Sequence, residues 1–264
     1  MLIPHRTPLQ SARFVQRFDR FIADVELPGG EVVRSHCVNP GRMEGLVRPG
    51  APVWISPAPS ESKRKLRWTL ELIELDDRFV GANTVVPNHI AETLVRARLI
   101  PGLKRWRQLE REVRYGDNSR IDLMLRGATD HLVEVKNCHL VYPDHRAYFP
   151  DSVSERAAKH LHELAREVAA GRRATVLFVL QRTDGRALRP SRLHDPNFAD
   201  AAQQAHEAGV RFKAARVDPT PEGFVFQKMI PVDLSRYDLD VLTPWRDALA
   251  PYSGWRRRAS YRPG

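Results

Sequence analysis

SRIDLMLRGATDHLVEVKN (residues 119–137) is the stretch whose reading decides the fold. Two runs of alternating apolar and polar residues, 119–125 and 131–137, flank a turn centred near Ala128. Alternation at period two marks strands, so the stretch predicts a hairpin. Asp122 stands six residues before Ala128 and Glu134 six after it, which places the two opposite one another. Directly opposed Cβ atoms of an antiparallel pair lie ~4.5–5.5 Å apart, and like charges there repel. Lys136 lies two residues beyond Glu134 and therefore on the same face. Ile121, Leu123 and Leu125, with Val133 and Val135, take the other face and read as core.

Two facing carboxylates beside a lysine call for a counter-charge. A hard divalent cation, Mg²⁺ or Mn²⁺, would offset their repulsion and leave coordination positions for water and a phosphate. It would lower the pKa of bound water and neutralise charge developing on phosphorus, with Lys136 orienting that water or stabilising the transition state. The bland alternative is a surface hairpin with a Glu–Lys pair and a solvated aspartate, because these residues are common.

The flanking sequence decides between the two. Ile90, Leu94 and Val95 fit one face of a helix over 88–98, ended by Pro101-Gly102. A strand is expected at 109–115, ahead of the hairpin. A helix at 152–170 follows, opened by a Ser152/Glu155 capping box and closed by Gly171. The continuous apolar run 175–180 is that of a strand buried on both faces. A helix at 197–208 and a strand at 210–217 complete an α/β layer pattern. Before Pro87 the pattern is different. Runs at 14–27, 31–37, 51–56, 66–75 and 78–82 are punctuated by Pro28-Gly29-Gly30, Asn39-Pro40-Gly41 and Pro49-Gly50, the spacing of a small barrel. The chain is therefore divided into a β-barrel at 1–84, an α/β domain at 85–234 and a basic extension at 235–264 that contains Trp255-Arg256-Arg257-Arg258.

Composition sets the outer limits. The 264 residues are 42% hydrophobic and 28% charged, the balance of a globular chain. No apolar run approaches the ~20 residues of a membrane helix. The start MLIPHRTPLQ lacks an apolar signal core, so a cytoplasmic protein is expected. Cys37 and Cys138 are far apart and predict free thiols rather than a zinc site, although each adjoins a histidine. The net charge of +10 favours a polyanion partner, weighed against an arginine-rich skew that genome composition alone can produce.

The order helix–strand–strand–strand–helix–strand, with D-x11-E-x-K on the second and third strands, resembles the PD-(D/E)xK nuclease superfamily. The resemblance implies that Asp122 and Glu134 bind Mg²⁺ and that Lys136 assists phosphodiester hydrolysis. Such folds often carry another acid on the first helix, where this chain has Glu92. Over residues 10–234 the chain also resembles the sugar fermentation stimulation protein A family. The pieces are RFVQRFDRFIADV (13–25), HCVNPGRM (36–43), RPG (48–50), YGDNSRIDLML (115–125), VEVKN (133–137), YFPDSVSERAAKHLHEL (148–164), LQRTDG (180–185) and HDPNFADAAQQAHEAGV (194–210). That resemblance implies an OB-like barrel joined to a PD-(D/E)xK-like domain, in a DNA-binding protein with a role in regulating sugar catabolism genes. Two departures stand out: Val38-Asn39-Pro40-Gly41 replaces the family's Pro-Asn-Thr-Gly, and Ala157 stands where glycine is expected.

Further residues belong to the same expectation. Asn39 and Arg42 lie in a barrel turn, and an OB face binds single strands through a basic groove and aromatic platforms, for which Phe14, Phe18, Phe21 and Trp54 are available; the Phe residues read rather as core. Arg105 and Arg107 belong to a basic cluster over 96–114 around Trp106, read as a phosphate-facing stripe or a solvated face. Arg156, Lys159 and Glu163 share a helix face, so Lys159 is a candidate to hold a substrate phosphate. Gln181 ends the buried strand and could reach the same pocket, and Asp151 is expected to cap the following helix. The functions in view are a Mg²⁺-dependent, DNA-binding nuclease, a non-catalytic DNA-binding regulator of sugar (maltose) catabolism genes, and an RNA- or nucleotide-processing phosphodiesterase. Strandedness of the nucleic acid and oligomeric state stay open.

Overall fold

The computed structural model describes residues 1–116 and 119–257; Asp117 and Asn118 of the YGDNSRIDLML motif, and the extension from Arg258 onward, lie outside the described residues. The elements begin with β1 (Leu2–Pro4), β2 (Gln10–Phe18), β3 (Ile22–Glu26), β4 (Val32–His36), β5 (Pro52–Pro57), β6 (Trp68–Leu75) and β7 (Arg78–Gly81). There follow α1 (Val86–Arg96), β8 (Gln108–Tyr115), β9 (Ser119–Arg126), β10 (His131–Cys138), β11 (Leu140–Val141) and β12 (Arg146–Phe149). The chain continues with α2 (Glu155–Ala169), β13 (Arg173–Gln181), β14 (Ala187–Pro190), α3 (Pro196–Glu207), β15 (Arg211–Thr220), β16 (Gly223–Ile230) and α4 (Thr243–Leu249).

Strands β2 to β6 run in the order β4-β3-β2-β5-β6, and parallel pairing of β4 with β6 at Ser35↔Trp68 and His36↔Thr69 closes them into the five-stranded OB-like barrel, with β7 added on β6. The run expected as one strand over 14–27 is two strands. Asp19 and Arg20 both adopt left-handed backbone (φ 42° and 67°), so the reversal occurs without the Gly or Pro that would announce it. Phe14, Val25, Ile55 and Leu70 fill the barrel, whereas Phe21 is exposed, against the reading of the Phe residues as core.

The second body is a mixed seven-stranded sheet in the order β1-β16-β15-β13-β10-β9-β8, with β10, β13 and β15 parallel. Its central strand β13 is apolar on both faces because helices cover both. Ile90, Leu94 and Val95 of α1 pack on one face against Leu125, Val133 and Leu177. Leu161 and Leu164 of α2, with Phe198 and Ala202 of α3, pack on the other against Leu132 and Phe178. Each such Leu, Ile, Val or Phe side chain contributes about 1.5–3 kcal/mol when fully buried. Among the described residues no helix is long and apolar enough to cross a membrane.

Two boundaries differ from expectation. Leu2–Pro4 pairs antiparallel with β16, so the chain starts in the second sheet before it builds the barrel. The described part of the extension is no loose appendage. Leu242, Trp245 and Leu249 pack on Leu140, Tyr142 and Tyr148, and the segment then runs on to the barrel. At the head of α2 neither Ser152 nor Asp151 caps. Ser154 accepts from the backbone N–H of Ala157 at 3.3 Å, and Asp151 accepts from Met43 N of the barrel turn at 2.8 Å.

Candidate active site

The β9–β10 hairpin has the register read from the sequence: His131 pairs with Leu125, Leu132 with Met124 and Val133 with Leu123. The next rung would pair Asp122 with Glu134, and there the ladder stops. Asp122 Oδ2 instead accepts the backbone N–H of Val135 at 2.7 Å, and its Oδ1 accepts from Asn88 Nδ2 of α1 at 2.7 Å. On the other side of β9 the ladder also skips Asp122, pairing Arg111 with Leu123 and Val113 with Ile121, while the intervening Glu112 is left-handed (φ 53°). Because of this distortion Ile121 does not share a face with Leu123 and Leu125. It joins the α2 side, and they join the α1 side.

Asp122, Glu134 and Lys136 line one cavity of about 560 Å³ between the barrel and the sheet. Glu134 is buried, and its Oε1 accepts from Lys136 Nζ and from His160 Nδ1, each at 2.6 Å. Its Oε2 is buried without a hydrogen-bond partner. Burial pushes the Glu134 carboxyl up, but Lys136 and His160 outweigh it and bring it down to about 2. Asp122 goes the other way: burial, then the Glu134 charge, raise it to about 6 against the bonds from Val135 and Asn88. Two carboxyl groups on neighbouring strands are thus driven in opposite directions by their surroundings. Arg156 Nε approaches His160 Nε2 at 3.4 Å, so the partners of His160 assign its proton to Nδ1, directed at Glu134.

The barrel completes the cavity. Asn39, Gly41 and Arg42 line it opposite the carboxylates. The buried guanidinium of Arg17 holds their turn by donating to Asn39 O at 2.5 Å and Gly41 O at 3.0 Å. Asn39 itself is buried, and its Oδ1 accepts from Gly41 N at 2.9 Å, so it shapes the turn from within. Residue 41 must be glycine because a Cβ there would collide with the Asp151 carboxylate.

Five candidate residues stand elsewhere. Glu92 does not line the cavity; its carboxylate pairs with Arg96 at 2.8 Å and Arg111 at 3.4 Å, and Asn88, one turn earlier on α1, reaches Asp122 instead. Lys159 is turned outward toward Glu163 at 3.7 Å, while its neighbours Arg156 and His160 line the cavity. Gln181 is buried behind the site, where its Nε2 donates to Asn137 Oδ1 at 2.6 Å; it supports a lining residue without lining the cavity itself. Arg105 and Arg107 are exposed beside the β9–β10 turn, where Arg107 N bonds Arg126 O at 2.7 Å. That end of the hairpin is about 16 Å along the strand from Asp122. His160 and Asn88 are the residues that sequence reading missed. His160 follows Arg156 by one helical turn, the spacing that could have found it.

Residues 85–223 match the family model described as the sugar fermentation stimulation protein RE domain, and residues 15–82 match the SfsA N-terminal OB domain. A sugar fermentation stimulation protein homolog of Maricaulis maris is 44% identical over 232 residues, covering 87% of this chain and 98% of that protein. One from Rhodospirillum centenum is 46% identical over 221 residues, covering 82% and 94%. The solved structure of Pyrococcus furiosus SfsA in complex with Ca²⁺ superposes with a TM-score of 0.80 at 25% identity, over 88% of this chain and 98% of that one.

Proposed function

Because the chain belongs to the sugar fermentation stimulation protein family, we propose that it is a cytoplasmic DNA-binding protein whose second domain hydrolyses phosphodiester bonds with Mg²⁺ or Mn²⁺ at Asp122 and Glu134. The observation that carries this reading is Glu134 Oε2: a buried, ionised oxygen without a partner, in the same cavity as a second carboxylate. An unpaired buried carboxylate oxygen is costly, and a hard cation is the partner that offsets the cost. Among the described residues no group of three or more His, Cys, Asp or Glu side chains is placed to hold a metal. In this reading the protein supplies two carboxylates and leaves the other positions to water and phosphate oxygens, a division that suits Mg²⁺. Ca²⁺, bound by the Pyrococcus relative, is an oxygen-seeking cation of the same kind.

When bound, the cation supplies a water of lowered pKa and a counter-charge for the phosphoryl oxygens. The remaining roles fall to side chains. Glu134 is held in place from two sides by Lys136 and His160. Asp122 is fixed by Val135 N and Asn88. Lys136 has two further donor hydrogens beyond the one it gives Glu134, and it turns them to the attacking water or to a non-bridging phosphoryl oxygen. Arg42 of the barrel turn and Arg156 of α2, on the cavity walls, take the phosphates on either side of the scissile bond.

The experiment is metal-dependent thermal stabilisation alongside cleavage. Mg²⁺ or Mn²⁺ raises the melting temperature, because the ion binds only the folded site, and Glu134→Gln abolishes the rise. A protein that binds DNA but shows neither stabilisation nor cleavage is the non-catalytic regulator. One that cleaves RNA or nucleotides and spares DNA is the phosphodiesterase.

A further inference from the structure

Trp255 lies in the segment beyond both family matches, yet it lines the same cavity as Asp122 and Glu134. Its position is built by the backbone. Gly254 N bonds Arg42 O at 2.6 Å, Arg256 N bonds Arg17 O at 2.9 Å, and Asp19 N bonds Arg256 O at 3.1 Å. Residue 256 thus forms a parallel bridge with Phe18 at the end of β2. Arg17, which clamps the Asn39–Gly41 turn, also points Nη1 at Gly254 O at 3.4 Å. The turn that carries Arg42 and the segment that carries Trp255 are therefore held by one buried guanidinium.

The indole is only half-buried, and the guanidinium carbons of Arg17 and Arg20 lie 5.4 and 5.0 Å from its centroid. Arg17 is buried and fixed, whereas Arg20 is exposed and also lines the cavity. The other lining aromatics are already engaged: Tyr148 is buried, and Phe149 packs on Phe178 and Phe198 at 5.4 and 5.2 Å.

We propose that Trp255 is the platform on which an unpaired nucleobase of the substrate stacks beside the carboxylates, so that the site prefers single-stranded or frayed nucleic acid. The proposal rests on the nuclease reading above. Arg20 yields its place over the ring to the base and turns to the adjacent phosphate, which keeps a cation within reach of the ring and neutralises the backbone. Stacking on an aromatic side chain tolerates every base, because each has a π face. The preference is therefore for strandedness rather than sequence.

The test is binding of labelled oligodeoxythymidine and of a duplex of equal length, in EDTA so that nothing is cut. Trp255→Ala is expected to weaken single-strand binding by about tenfold and leave duplex binding within about twofold, with Trp255→Phe close to the parent. Trp255→Leu removes the ring but keeps most of the volume; the same loss in a variant of unchanged melting temperature excludes mere unfolding. Quenching of tryptophan fluorescence by oligodeoxythymidine should diminish in Trp255→Phe. Equal single-strand affinity in parent, Ala and Leu variants, or an equal loss for duplex, overturns the proposal and leaves the nuclease reading intact. A parent protein that binds neither oligonucleotide and cuts neither removes both.

Discussion

Val135 donates its backbone N–H to Asp122 Oδ2 at 2.7 Å, at the point where the β9–β10 ladder gives up its next rung. The strand that carries Glu134 thereby holds the Asp122 carboxylate itself. Two anions that would otherwise drift apart are kept beside one cavity, and burial together with Glu134 raises Asp122 to about 6. The hairpin is arranged against its own stability in a manner that a bound cation would relieve.

In the metal-free protein Asp122 should therefore contribute less stability as pH rises. Asp122 has a folded pKa above its ordinary value, so between about pH 4 and 6 this group binds more protons in the folded state than in the unfolded state, and its contribution to stability falls through that window. Asp122→Asn keeps an oxygen for Val135 N and removes the charge. In EDTA it should match the parent near pH 4 and exceed it by up to about 3 kcal/mol at pH 7 in urea melts. Mn²⁺ affinity of the parent should rise through pH 6, since Asp122 must first release its proton. Parallel pH profiles for parent and variant would refute this account of Asp122.

His160 aims Nδ1–H at Glu134 Oε1 from 2.6 Å. Partners that orient a metal-binding carboxylate typically affect affinity or activity by about 10–100-fold. His160→Ala should lose that much in Mn²⁺ affinity, measured by calorimetry, with the fold intact by circular dichroism. His160→Asn, whose amide can donate to the same oxygen, should recover a large part. Equal losses in both would reduce His160 to a packing residue.

Arginines on the cavity wall should matter more than those at the hairpin turn. Replacing Arg42 or Arg20 by Ala should weaken nucleic-acid binding and lower the slope of log affinity against log salt by about 1 each. Arg105→Ala with Arg107→Ala, at the far end of the hairpin, should change it less. If the Arg105/Arg107 pair dominates, the nucleic acid follows the edge of the sheet and not the cavity.

The parts of the fold legible in the sequence were those with a strong local period. Alternation placed the β9–β10 hairpin and its register, the apolar run over β13 announced a central strand, and helical spacing found α1, α2 and α3 to within a few residues at each end. The short strands β1, β11, β12 and β14 carry too few residues for any period, and the Asp19-Arg20 reversal has no glycine or proline to announce it. In the site, Asp122, Glu134 and Lys136 could be read because they lie on one hairpin. Arg42 and Trp255 converge on it from residues distant in sequence, which periodicity does not report. Glu92 follows from the superfamily resemblance and Lys159 from helix-face spacing. In the fold, nearby partners of opposite charge, Arg96 and Arg111 for one and Glu163 for the other, draw each away.

The most direct test of the central claim is a cleavage assay on end-labelled single- and double-stranded DNA and RNA, with Mg²⁺, Mn²⁺ or EDTA, comparing the parent with Glu134→Gln and Lys136→Ala. The account predicts metal-dependent cleavage by the parent and loss of cleavage, about 100-fold or more, in both variants. It also predicts that Lys136→Ala retains the thermal response to Mn²⁺, because a lysine ammonium has no lone pair to give a metal. Cleavage that persists in Glu134→Gln, or a parent that cuts none of the four substrates with either metal, would contradict it.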